Sequence, residues 1–152
     1  MNYIGKWVFH SIGVVDENDN FVYLNAEDYL KSPMPYVDET DEDEVADEMR
    51  ERKNSVSMQV KICEDGKLYL LLPIPEGATM EEVNEVVASG ELMLVDGMIT
   101  ERPINWEERD GELWYDSGVE GDSDGEPIDS WVKGIDENGL FAFFTTRFVK
   151  AE

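Results

Sequence analysis

The sequence has one cysteine, Cys63, one histidine, His10, and little positive charge. A lone Cys forms no intrachain disulfide, and a lone His offers no cluster for a metal or a catalytic relay. Twelve Lys and Arg face 36 Asp and Glu, a net charge of −24. That field excludes a basic groove for nucleic acid and attraction to anionic membranes. No apolar run approaches the ~20 residues of a membrane span. The first residues, Met1-Asn2-Tyr3-Ile4, lack a secretory apolar core and enter strand-like sequence at once. These absences lead us to expect a cytoplasmic protein with no cofactor, no metal, no nucleic-acid partner and no membrane partner.

What is present is enough apolar sequence for a core. Of 152 residues, 41% are apolar, which is too rich for a disordered chain despite the charge. One domain over residues 1–152 is the expectation.

Turn chemistry dominates the pattern. Asp65-Gly66, Asp96-Gly97, Asp110-Gly111 and Asn138-Gly139 each separate two apolar runs and predict hairpins. Asp16 to Asn20 predicts a fifth. Asp124-Gly125 falls in a polar stretch and reads as a loop. The runs between turns are Ile4–Val15, Phe21–Leu24, the alternating Val56, Met58, Val60 and Ile62, then Lys67–Leu72. Leu92–Val95, Met98–Arg102, Ile104–Arg109, Glu112–Ser117, Ile128–Asp136 and Leu140–Val149 follow. Strands joined mostly to their sequence neighbours predict a mainly β, antiparallel up-and-down meander, a barrel or a sandwich.

Two helical insertions are predicted. One runs from about Thr40 to Lys53, with acids in its first turn and bases in its last, matching the helix dipole. The other runs from Met80 to Ser89, where Thr79 and Glu82 form a capping box and Gly90 suits the C-terminal cap.

Gly5-Lys6-Trp7 opens the first strand run, and Arg147 lies on the last. This arrangement resembles the calycin superfamily, the lipocalins and fatty-acid-binding proteins. There a Gly-x-Trp begins the first strand, and a basic residue of the last strand packs over the Trp at the barrel floor. The resemblance implies a closed lipocalin-like barrel of about eight to ten strands. It carries over to Gly5, Trp7 and Arg147 as a structural floor.

Strand parity then predicts the interior. Gly5, Trp7, Phe9 and Ser11 share one face; so do Arg147, Thr145, Phe143 and Phe141. Phe9, Met58, Val60, Trp114, Phe141 and Phe143 are the candidate ligand-binding residues, unless they fill the barrel outright. The same parity sends Ile4, Val8, Ile12, Val14, Leu140, Phe144 and Phe148 outward. Such an apolar patch needs cover, from the helix at 80–89 or from a second copy in a homodimer through the first and last strands.

Other features read as structural. The acidic runs Asp38–Glu44 and Glu120–Glu126 fit helix-start and solvated-loop roles, and neither matches a calcium loop. His10 reads as a surface or groove residue. Cys63 sits among acids, which disfavour its thiolate. No catalytic constellation emerges. The function expected is therefore non-enzymatic binding of a small apolar ligand. The alternative is an acidic protein-interaction module, a nucleic-acid mimic or binder of a basic partner, with a packed barrel.

Overall fold

The structure, a computed structural model, describes residues 3–34, 37–75, 77–119 and 129–151. Its spine is β1 (Gly5–Val15), an eleven-residue strand that pairs along both edges. One edge carries β11 (Thr146–Lys150). The other is shared by β3 (Gln59–Ile62) over its first half and β2 (Phe21–Leu24) over its second. Beyond β3 the sheet continues through β4 (Lys67–Leu71), β7 (Ile104–Arg109), β8 (Glu112–Asp116) and β9 (Trp131–Lys133). Beyond β11 it ends in β10 (Phe141–Phe143). Every pairing is antiparallel, and the sheet curls into an open half-barrel.

The expected closed barrel is thus corrected to an open one. A single isolated bridge, Ile135 to Phe141, links the segment after β9 to β10. β4 and β7 pair only at Lys67–Asn105 and Leu68–Ile104. Past Leu68 they part, because 32 residues between them make a separate excursion. This holds α3 (Met80–Ser89) and a two-stranded sheet of β5 (Met93–Val95) and β6 (Met98–Thr100). The runs at 92–102, expected in the meander, therefore stand outside it and join it through a Leu72–Ile99 bridge.

Local chemistry explains most boundaries. Thr79 accepts from the Glu82 amide at 3.1 Å, and Gly90 closes α3 at φ 86°. The Asp110-Gly111 turn takes φ of 51° and 79°, the positive pair a two-residue hairpin needs. Helix α2 (Glu42–Val56) is capped by Asp41 through the amides of Asp43 and Glu44. It runs on to Val56, so Val56 belongs to a helix and not to the alternating strand. A third helix, α1 (Ala26–Lys31), was not expected; Asn25 caps it by accepting from the Asp28 amide at 2.8 Å.

The last expected strand is also corrected. The run from Leu140 to Val149 folds back on itself as a hairpin, with Phe144 at the turn in a left-handed conformation, φ 55°. Phe141 thereby pairs with Phe148, and Ala142 with Arg147. Phe148 points inward and is fully buried. Arg147 shares no face with Phe141. β1 contributes a second slip, a bulge between Phe9 and Ser11 opposite β11. The predicted outer patch dissolves accordingly: Leu140 is buried, Ile4 packs against the core, and Phe144 remains exposed at its turn. Helices α1 and α2, not α3, pack against β1.

The inside of the curl is a packed core. Trp7, Val60, Ile62, Leu68, Leu113, Phe141 and Phe148 are all essentially inaccessible. Phe141 stands at the centre, with Trp7, Tyr115 and Phe148 around it at 6.2, 5.5 and 6.2 Å. One end is stoppered. The Trp106 indole donates to the Cys63 carbonyl at 2.9 Å, Tyr3 packs edge-on against Trp106, and the Tyr3 hydroxyl donates to the Gly111 carbonyl.

Candidate functional site

The opposite end of the half-barrel is open. There β3 begins, β4 ends, β7 begins, β8 ends and β10 ends, as their antiparallel registers require. The parting of β4 from β7 widens this mouth into a groove of about 650 Å³. Volumes of this order suit a drug-sized molecule. Met58, Leu70, Leu72, Ile99, Ile104 and Phe143 supply its apolar walls. Thr100, Glu101, Arg102, Asn105, Asp116 and Ser117 supply polar groups. Met58, Leu70, Ile104 and Phe143 also pack against the core, so the apolar wall is continuous with it.

Each expected site residue has a definite place. Met58 and Phe143 line the groove. Val60 and Phe141 lie at zero exposure in the core beneath it. Phe9 sits opposite Phe148 on β1, half-buried. Trp114 lies on the outer face of β8, alternating with buried Leu113 and Tyr115. The Arg109 guanidinium lies 5.1 Å from the rings of both Trp114 and Trp131.

The expected floor divides. Trp7 is buried against Phe141, and its indole donates to the Tyr3 carbonyl at 3.0 Å. Gly5 adopts φ 131°, with the Lys150 side chain beside it. Arg147 is elsewhere. Its guanidinium lies 3.6 Å from the Tyr23 ring, and its Nε donates to the Ser11 hydroxyl at 2.8 Å. The Arg147 stack expected on Trp7 is therefore made on Tyr23. The hairpin at Phe144 and the bulge in β1 together put Arg147 on the outer face.

The electrostatics of the groove centre on Asp116. The Ser130 hydroxyl and the Gly118 amide, the latter at 3.0 Å, donate to its carboxylate and hold its pKa below the usual aspartate value. Asp116 is accordingly ionised across the neutral range. Glu101 and Arg102, opposite in charge, line the same groove.

Neither His10 nor Cys63 lines the groove. His10 Nδ1 lies 2.9 Å from the Ser11 hydroxyl, but Ser11 is only 3% exposed and Arg147 shares the same oxygen. Burial and the acids Asp65 and Asp96 push the Cys63 thiol up, which Lys61 only partly offsets. Among the described residues no three His, Cys, Asp or Glu side chains are grouped to hold a metal. In the first acidic run, Asp38 accepts from Thr40 and Asp41 caps α2. The second acidic run lies outside the described residues. No helix among the described residues is long and apolar enough to cross a membrane.

Sequence reasoning missed Leu70, Leu72, Leu92, Ile99, Arg102 and Asp116 as groove residues. They meet only because β4 and β7 separate around the excursion, and no local pattern announces that. No family model, curated protein or solved structure matches the chain.

Proposed function

We propose that the protein is a non-enzymatic, lipocalin-like binder of small molecules, working in the cytoplasm, and that it holds the apolar part of its ligand in the mouth of the half-barrel. The observation that carries this reading is the groove itself. Its apolar wall runs straight into the core, while Glu101, Arg102 and Asn105 are exposed at its opening. That division suits a ligand with an apolar body and a polar end. Met58 adds an adaptable thioether that fits varied shapes. A fully packed interior below the mouth confines the ligand to the mouth rather than to a central cavity.

The acidic-module reading needs charge concentrated on one face. Exposed acids occur on four separate elements, α1, α2, α3 and the β7–β8 hairpin.

Titration with the neutral dye Nile red tests the proposal. Binding should blue-shift and brighten its emission, and Met58→Arg should abolish the change while leaving the circular dichroism intact. A folded wild type that takes up no dye removes the reading.

A further inference from the structure

The groove's charge narrows the ligand class. Three ionisable side chains line it: Glu101, Arg102 and Asp116. Glu101 and Arg102 are adjacent, exposed and opposite in sign, so the rim contributes little net charge. Asp116 is left as the surplus. It is half-buried as the last residue of β8, on the strand face that carries Trp114, so it meets the groove at its rim, and two donors hold it in its ionised form. Those donors come from Gly118 and Ser130, so no cation of the protein neutralises it among the described ion pairs. An ionised carboxylate beside an apolar wall is a counter-ion for a positive group attached to an apolar body. The protein's charge of −24 acts in the same direction, concentrating cations and repelling anions at the mouth.

We propose that the ligand is a lipophilic cation, an amine with an aliphatic or aromatic body, and that Asp116 binds its ammonium group. This rests on the small-molecule reading above and adds the sign of the ligand's charge. The apolar part lies along Met58, Leu70, Ile99 and Phe143, and the ammonium reaches the rim at Asp116.

The experiment is displacement of bound Nile red by decylamine, decanol and decanoate at neutral pH, each below its micelle concentration. Decylamine should displace the dye at roughly tenfold lower concentration than decanol, the ratio about 1.4 kcal/mol provides. Decanoate should be the weakest. Asp116→Asn should bring decylamine to within a few-fold of decanol and leave decanol unchanged. Glu85→Gln, an equal charge change on α3 away from the groove, should preserve the preference. Equal displacement by all three compounds would overturn the cation assignment and leave the groove reading standing. Decanoate as the best competitor would overturn it in favour of Arg102 as counter-ion. An equal loss of preference in Glu85→Gln and Asp116→Asn would assign the effect to the overall field and also overturn it. No dye uptake at all would remove the groove reading, and this inference with it.

Discussion

Arg147 shows how one side chain reports on its backbone. Its guanidinium over Tyr23, together with the bond to Ser11, ties β11 to β1 and β2 on the outer face. A double-mutant cycle with Arg147→Met and Tyr23→Ala should give a coupling of about 0.5–2 kcal/mol by denaturant unfolding. The cycle of Arg147→Met with Trp7→Ala should be additive, although Trp7→Ala alone should cost about 3–5 kcal/mol of packing. Tyr115 reports on the core in another way. Burial pushes its phenol up to about 12. The folded state therefore holds that proton more tightly than the unfolded chain does. Its contribution to stability is complete below the ordinary tyrosine value and is lost as pH rises through about 12. In Tyr115→Phe, the fall of melting temperature on the alkaline side should be shallower than in the wild type. An equally steep fall would assign the alkaline loss to other groups, such as Tyr3, which burial also shifts upward.

At the scale of elements, α1 and α2 are held together by Arg52. It is 5% exposed and donates to the carbonyls of Tyr29, Ser32 and Pro33, while its Nε meets Glu48 at 3.0 Å. The Tyr29 carbonyl also accepts from the Ser32 amide and hydroxyl, whereas the Ser32 and Pro33 carbonyls follow α1 and rely on Arg52. Arg52→Met should destabilise the fold by about 3 kcal/mol, since it takes a charged donor from the Ser32 and Pro33 carbonyls and a partner from Glu48 at once. Arg52→Lys should recover little, because an ammonium lacks the planar fork that serves them together. Chemical denaturation of both variants is the check. The same scale shows what the sequence could disclose. Helix α3 was legible because Thr79, Glu82 and Gly90 act within one or two turns of the chain. The hairpins at Asp96-Gly97 and Asp110-Gly111 were legible for the same reason. α1 had its signal in Asn25 and Asp28, but its six residues carry no apolar stripe to draw attention. The turn at Phe144 had no local signal, since an aromatic residue in an aromatic run reads as strand. That one turn reversed the facing of Phe148 and Arg147. The groove was least legible, because Leu70 and Phe143 come from strands far apart in sequence.

For the whole molecule, charge sets the margin of stability. Only seven ion pairs occur among the described residues, and most are exposed. The remaining acids repel one another at neutral pH, and the repulsion acts over a screening length that salt shortens. Raising monovalent salt to about 0.2 M should therefore increase the melting temperature by scanning calorimetry. A flat response would mean that the acids lie far enough apart to be screened by water alone.

The two-residue contact between β4 and β7 has a consequence for motion. A curled sheet opens readily where a ladder is short, and the two-residue β4–β7 ladder, the shortest between two named strands, borders the mouth. Amide protons along that seam, such as that of Trp106 on the Gly66 carbonyl, should exchange with deuterium by local opening. Those of β1, flanked on both edges, should wait for global unfolding. A molecule seated in the mouth would bridge the two sides of the seam and slow the first class without touching the second. Exchange measured with and without decylamine would then show the sheet breathing at the place where the ligand enters.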